Sequence, residues 1–239
     1  MKKVFLGIGL LASMGLGGLF DTSANADVSE VYNTSIPSVN FLWREYNPNT
    51  GEHFLTESFE ETEWLEEQGW ITEGLAWMTP TSGEEVYRLY NPNAGDHFYT
   101  KSIVEYNWLK QQGWLQEGRS FFSSEGKDTA VYRSYNKNAV AAGSHMFTIN
   151  KDEHDGLLRS GWLNEDVQFY AVSMYTHLET LTLVAESITE TEVGSADFAK
   201  LQQVIAQSHT VLNKANISDN ELRNQYQTLY DTINTLNYL

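Results

Sequence analysis

Leu42-Trp43-Arg44-Glu45-Tyr46-Asn47-Pro48-Asn49-Thr50-Gly51-Glu52-His53-Phe54-Leu55-Thr56 returns 44 residues on as Val86-Tyr87-Arg88-Leu89-Tyr90-Asn91-Pro92-Asn93-Ala94-Gly95-Asp96-His97-Phe98-Tyr99-Thr100. A third copy runs Val131-Tyr132-Arg133-Ser134-Tyr135-Asn136 and, after a turn three residues longer, Gly143-Ser144-His145-Met146-Phe147-Thr148. Each copy continues to a Gly-Trp pair, at Gly69-Trp70, Gly113-Trp114 and Gly161-Trp162. A unit this short cannot bury its own apolar face, so the copies must pack on one another as one domain.

Within a copy the order of elements follows from local chemistry. Tyr87-Arg88-Leu89-Tyr90 alternates as a strand, Asn91-Pro92-Asn93-Ala94-Gly95 is a turn with proline presetting φ and glycine free to take φ > 0, and His97-Phe98-Tyr99 returns as a second strand. Ser58 with Glu61, Ser102 with Glu105 and Asn150 with Glu153 stand at capping-box spacing and predict a short helix, which stops at the glycine of Gly-Trp. The stretch from Trp114 to Phe122 predicts strand, bend, strand. Three such units suggest a mainly β, α+β domain over residues 41–172, a pseudo-threefold β-trefoil-like barrel with one short helix per lobe. A propeller ranks lower because it normally takes at least four blades.

The rest of the chain differs in texture. All seven Trp lie between Phe41 and Tyr170. From Leu178 onward neither Trp nor Pro occurs, and the apolar residues take helical spacing: Leu178, Leu181, Ala185 and Ile188; Phe198, Leu201, Ile205 and Leu212; then Leu222, Tyr226, Leu229, Ile233 and Leu236. Ser195 with Asp197 and Ser218 with Glu221 are read as helix starts. Residues 176–239 are therefore expected to form a three-helix bundle.

At the other end, Met1-Lys2-Lys3, the apolar run Val4 to Phe20 and Ala24-Asn25-Ala26 have the layout of a secretory signal peptide over residues 1–26, with residues 27–40 as a linker. The alternative, an uncleaved anchor, needs a longer apolar run of about 20 residues. Secretion, and no stable membrane insertion after cleavage, is the expectation. The absence of cysteine excludes a disulfide scaffold, so stability must come from core burial. Removing a segment that carries Lys2, Lys3 and Asp21 takes the net charge from −17 to −18. A polyanion of this kind is a poor partner for nucleic acid or an anionic bilayer.

No catalytic signature emerges from the repeated positions. Glu52-His53 and Asp96-His97 set a carboxylate beside an imidazole, which could suggest acid/base work. Neighbouring strand residues point to opposite faces, however, so Glu52 and His53 should not touch. A histidine bonded to a sibling strand is the favoured role. His53, His97 and His145 could also meet on an axis as a three-histidine zinc site, but metal ligands usually stand closer in sequence, and no metal or other cofactor is expected. A nucleophile elbow, a phosphate-cradling glycine loop and a calcium loop are all missing from the sequence. What does repeat is a palette suited to a small polar ligand, with aromatic faces and fixed donors and acceptors. The candidate binding residues are Arg44, Tyr46, Asn47 and His53; Arg88, Tyr90, Asn91 and His97; and Arg133, Tyr135, Asn136 and His145. For the Tyr-Asn pairs, turn or core roles and binding roles stay open. Trp70, Trp114 and Trp162, with Phe54, Phe98 and Phe147, are read as core.

The pattern Arg-x-Tyr-Asn, Gly-x-His-Phe-x-Thr, Leu, Gly-Trp, Glu-Gly, at Arg44 to Gly74 and again at Arg88 to Gly118, resembles the tandem repeat of a domain family of unknown function. Such repeats occur in secreted bacterial and fungal proteins, sometimes beside cell-wall hydrolases or peptidases. The resemblance implies an accessory, glycan-binding role. The third copy departs from it: the turn loses its proline, Gly156 stands where Trp64 and Trp108 do, and Asp166 replaces the glycine of Glu-Gly. The helical tail, through Val211-Leu212-Asn213-Lys214-Ala215-Asn216 and the Leu222, Tyr226, Leu229 face, is similar to the FIVAR modules of Gram-positive surface proteins. Together these imply a secreted, non-catalytic, lectin-like protein outside a Gram-positive cell, recognising cell-wall or host glycans and either released or held to a surface only by what it binds. Three rivals stay open: an adhesin or effector that binds protein through residues 178–239, an accessory protein of a cell-wall hydrolase system, and a hydrolase with a divergent site.

Overall fold

A computed structural model describes residues 38–236. The signal segment expected over residues 1–26, and all but the last three residues of the expected linker, lie outside the described residues. The chain divides into two compact units, Val39–His177 and the helices from Leu178 onward. Among the described residues they hold three three-stranded antiparallel sheets and seven helices.

Each copy makes one sheet. The first contains β1 (Val39–Tyr46), β2 (His53–Thr56) and β3 (Ile71–Pro80), with α1 (Phe59–Glu67) between β2 and β3. The second contains β4 (Glu84–Asn91), β5 (Asp96–Thr100), α2 (Ile103–Gln111) and β6 (Leu115–Ser123). The third contains β7 (Thr129–Tyr135), β8 (His145–Thr148), α3 (Lys151–Arg159) and β9 (Leu163–Ala171). In every sheet the first strand of the copy lies in the middle, in the orders β2-β1-β3, β5-β4-β6 and β8-β7-β9. The expected hairpins form, with Tyr46 opposite His53, Tyr90 opposite His97 and Tyr135 opposite His145.

The stretch after Gly-Trp, expected as strand, bend, strand, is one continuous strand. Two register shifts against the middle strand take up the bend. The bend sits at Gly74 (φ 83°) and Gly118 (φ 89°), and in the third copy at Asp166 (φ 61°). Asp tolerates this left-handed conformation better than most side chains. Its amide is also held by Asn164 Oδ1 at 2.9 Å. The substitution that seemed a departure in sequence therefore keeps the same backbone.

The helices begin and end as their local sequences require. Ser58 and Ser102 accept hydrogen bonds from the amides of Glu61 and Glu105, and Asn150 from those of Asp152 and Glu153. At the other end Gly69 N–H donates to Glu66 O (3.0 Å) and Trp70 N–H to Leu65 O (3.0 Å), a Schellman pair repeated at Gly113-Trp114 and Gly161-Trp162.

The third strands and the second hairpin strands supply a shared aromatic core. Trp77, Phe121 and Phe169 are each 1% exposed and, with Tyr99 and Phe147, form ring contacts of 5.3 to 6.1 Å that cross all three copies. Each such side chain contributes roughly 1.5–3 kcal/mol by leaving water. The Tyr99 hydroxyl donates to Leu55 O (2.9 Å) and accepts from Leu55 N–H (2.8 Å), so the edge of the first hairpin is satisfied by the second copy. Burial drives the Tyr99 pKa upward, and the phenol stays protonated to serve both bonds.

In the C-terminal unit, the long helices are α4 (Met174–Glu186), which opens in the first unit, α6 (Ser195–Leu212) and α7 (Asp219–Thr235). Leu178, Leu181, Ala185, Ile188, Leu201, Ile205, Leu222, Tyr226, Leu229 and Ile233 are buried as their spacing predicts, whereas Phe198, Leu212 and Leu236, from the same faces, are half-buried. The Ser218–Glu221 capping box is complete, whereas Ser195 is the first residue of α6 and Gly194 occupies its cap. An extra one-turn helix, α5 (Glu190–Val193), opens on a Thr189–Glu192 capping box instead.

Two glycines test this packing. Gly143 has φ +77°, and a Cβ there would lie 2.5 Å from Gly51 O, whereas at Gly156, inside α3, the nearest atom is the Arg159 Nη2 tip at 3.7 Å. Gly143→Ala should destabilise by about 2–4 kcal/mol, combining strain with a backbone clash. Gly156→Ala should stabilise by about 0.5–1 kcal/mol through helix propensity. Urea denaturation of the two variants checks both signs.

Candidate functional site

The chemistry of the repeats begins at the helix N-termini. A full capping box would turn the glutamate at the third helical position back onto the cap amide. Here a threonine two residues before the cap takes that amide: Ser58 N–H donates to Thr56 Oγ1, Ser102 N–H to Thr100 Oγ1 and Asn150 N–H to Thr148 Oγ1, each at 2.9 Å. The glutamate is left free to reach outward. Glu61 accepts Nη1 and Nη2 of Arg88 at 3.0 and 3.2 Å, from the next copy. Glu153 of the third copy accepts the same atoms of Arg44 at 3.2 and 3.1 Å, in the first.

Each of these arginines also binds within its own sheet. Arg44 Nε donates to Glu73 and Arg88 Nε to Glu117, both at 2.7 Å. The histidine of the same copy sits on the other side of that glutamate, with Nε2 at 3.7 Å for His53 and His97 and 3.4 Å for His145 with Glu165. Burial alone would lower the Arg44 pKa, but Glu153 and Glu73 outweigh it and raise the pKa. Burial alone would raise the Glu153 pKa, and the Arg44 charge and hydrogen bonds hold it below the usual range.

The third arginine differs. Arg133 Nε stands 2.7 Å from Glu165 Oε2 without hydrogen-bond geometry, and its Nη1 is buried with no hydrogen-bond partner. The expected partner, Glu105, accepts from Thr100 Oγ1 at 2.6 Å instead. Arg133 packs over the Phe98 ring at 5.2 Å, as Arg88 does over Phe54 at 4.7 Å.

The Gly-x-His segments also join copy to copy. Glu52 does not touch His53. It accepts from the Nδ1 and backbone N–H of His97, at 2.5 and 2.9 Å. Asp96 accepts from Gly143 N–H at 3.0 Å and the Ser144 hydroxyl at 2.6 Å, and Ser144 is hydrogen-bonded to His145 Nδ1 at 2.8 Å. Ser144 stands where the first two copies carry an acid and is too short to repeat the reach, and His53 Nδ1 is buried without a partner. Burial, joined by the Arg133 charge, lowers the His145 pKa to about 3. His53 shifts the same way, mainly through burial. Among the described residues no group of three or more His, Cys, Asp or Glu is arranged to hold a metal ion.

The twelve residues read from the sequence thus fall into three separate sets, one per copy, from which the arginines and His97 reach a neighbouring copy. Asn47, Asn91 and Asn136 each accept the amide two residues on, at 3.0, 3.0 and 3.1 Å, which is turn chemistry. Tyr46, Tyr90 and Tyr135 lie against His53, His97 and His145 at 5.0, 4.8 and 5.1 Å. Trp70 and Trp114 are half-buried edge-on to Phe54 and Phe98, both at 6.1 Å.

Two features escaped the sequence reading. Trp64 on α1 and Trp108 on α2, at equivalent positions, are 57% and 55% exposed. A cleft of about 360 Å³ lies between the first and second copies, lined by Thr56, Glu57, Ser58, Glu61, Arg88, Glu117, Arg119 and Ser120. In it, burial raises the Glu57 pKa against the hydrogen bonds it accepts from Thr79 and Asn40. The helix pattern held the clue to the tryptophans. Thr62 and Leu65 mark the buried face of α1, and position 64 falls outside it.

These sheets carry the sequence of a known family. The family described as "Domain of unknown function (DUF5648)" matches residues 41–172, more than half of the chain, and the protein belongs to it. No curated protein and no solved structure matches the chain.

Two consequences are measurable. Arg44→Ala and Arg88→Ala each strand a partly buried glutamate, their own side chains being 16% and 18% exposed. Each should cost about 1–3 kcal/mol, below the range for fully buried pairs because solvent still screens them. Arg133→Ala, which strands less, should cost under about 1 kcal/mol. Urea midpoints of the three variants check the order.

The second consequence concerns acid. The folded state holds His145 neutral down to about 3, against 6.5 for a free imidazole. Between these values the unfolded chain binds a proton that the folded chain does not. Stability is therefore full above about 6.5 and lost as the pH falls toward 3. His145→Gln should flatten the decline in urea midpoint between pH 7 and pH 4.

Proposed function

We propose that the protein is a secreted, non-catalytic, carbohydrate-binding protein, in which the three sheets close as a pseudo-threefold, trefoil-like domain and the C-terminal helices form a FIVAR-like module. The observation that carries this reading is the pair of exposed tryptophans, Trp64 and Trp108. Folding alone gives no reason to leave two indoles in water at matched positions, and large exposed apolar groups mark interaction surfaces. A flat indole beside polar side chains suits the apolar face of a sugar ring. Glu61, one turn before Trp64, and Glu105, one turn before Trp108, put carboxylates on the same helix faces. The non-catalytic part of the reading is supported by the repeated Arg, Glu and His groups, which bind mainly one another.

The third copy carries Gly156 at the matching position, so two working sites are expected, on the first and second copies. Single sites of this kind bind in the millimolar range, about −4 kcal/mol, and polymeric glycan should bind far better through effective concentration. A glycan array and a pull-down on purified cell wall test the reading. Trp64→Ala should remove one site and Trp64→Ala with Trp108→Ala nearly all binding, with circular dichroism unchanged. No binding by the wild-type protein to any glycan or wall fraction would refute it.

A further inference from the structure

The copies agree in their scaffold and differ in the cleft between the first and second. Its lining residues have equivalents at the other two junctions, and three of them change character: Glu57, Arg119 and Ser120, the last replaced by Gln168 and Ala76. Glu57 corresponds to Lys101 and Ile149, and Arg119 to Val167 and Leu75. Only at the first junction does a carboxylate face a guanidinium at these positions.

Both groups have capacity to spare. Arg88 is used up by Glu61 and Glu117. Arg119, by contrast, lies 4.2 Å over the Phe122 ring, and its guanidinium makes no ion pair or hydrogen bond among the described residues. Glu57 accepts one hydrogen bond on each oxygen, from Thr79 and from Asn40, which leaves a lone pair on each. The hydroxyl of Ser120 lines the same wall without a partner among the described residues. The cleft thus offers several donors in a planar fork, acceptors opposite them and a hydroxyl that does either.

The charge of the lining decides the class of ligand. Glu57, Glu61 and Glu117 outnumber Arg88 and Arg119 by one, on a protein whose net charge is −17. An anionic ligand meets excess negative potential, and a cation finds Glu61 and Glu117 already paired. A neutral ligand with adjacent hydroxyls fits: one oxygen accepts from the guanidinium while the neighbouring O–H donates to the carboxylate. Trp64 is not one of the lining residues but follows Glu61 by one turn of α1, on the same helix face.

We propose that this first-junction cleft is the selective sugar site of the protein, taking a neutral pyranose by its vicinal hydroxyls between Arg119 and Glu57, with Trp64 as its stacking wall. This rests on the carbohydrate-binding reading. The second junction, with Lys101 and Val167, keeps only the platform of Trp108 and adds avidity without selectivity.

The test replaces each group by the residue the second junction already carries there, so that the fold should accept it: Arg119→Val and, separately, Glu57→Lys. The full-length protein is probed on a glycan array bearing neutral, uronic-acid and unacetylated amino-sugar oligosaccharides, and the strongest neutral hit is then titrated by calorimetry. Tenfold or greater loss of that binding in both variants, with Lys101→Ala unchanged and melting curves preserved, supports the proposal. Binding that survives both substitutions but is lost in Trp64→Ala overturns the cleft and leaves the carbohydrate reading standing. Binding confined to uronic-acid or amino-sugar glycans overturns the neutral class. Absence of any glycan binding by the wild-type chain overturns both together.

Discussion

The domain depends on one carboxylate that leaves its own helix. A glutamate at the third helical position ordinarily closes a capping box, and here the threonine at the end of the preceding strand takes the cap amide in its place. The released Glu61 and Glu153 meet the arginine of the next copy as a bidentate pair. Only a guanidinium can serve this geometry, because its Nε holds a glutamate of its own sheet while the two Nη atoms hold the neighbour's. A lysine in the same place would have to choose. Arg, Thr and Glu therefore recur at fixed spacing, and a junction that closes fully uses all three.

The junctions are not equal, and the inequality traces to particular side chains. Two close fully. At the second junction, between the second and third copies, Glu105 is taken by Thr100 and Arg133 is left with Glu165 and the face of Phe98. The Gly-x-His segments show the same gradation. Glu52 reaches His97, Asp96 reaches Gly143 and Ser144, and Ser144 ends the series. Where its reach falls short, Gly143 brings backbone close to Gly51, an approach that the lengthened turn and the absent Cβ make possible.

Much of the fold was legible because its signals are local. Proline and asparagine in the turns, Ser or Asn at the caps and glycine after the last helical residue act within a few positions, and hairpins and helices fell where those residues put them. The single long strand after Gly-Trp was read as two, since a bulge at a left-handed Gly or Asp looks in sequence like a break. Ser195 was read as a cap because its neighbours allow it, although Gly194 holds that place. The site was less legible. Which carboxylate meets which arginine is a contact between copies, and no spacing within one copy encodes it. The candidate asparagines hold their own turns, and the exposure of Trp64 and Trp108 shows only once the buried face of each helix is placed.

Repetition therefore points away from the ligand. A residue that recurs in all three copies is explained by what every copy must do, which is to cap a helix, turn a hairpin and grip a neighbour. Arg44, Arg88, His97 and the turn asparagines spend their hydrogen bonds on that task. Recognition has to use groups the scaffold does not need, and those lie where the copies diverge: Trp64 and Trp108 against Gly156, Glu57 against Lys101 and Ile149, Arg119 against Val167 and Leu75. The Arg–Glu pairs that close two of the junctions do not use these positions, so they are free to differ from copy to copy. For the carbohydrate binding proposed above, the differences between copies therefore carry more of the argument than the motif that makes them alike.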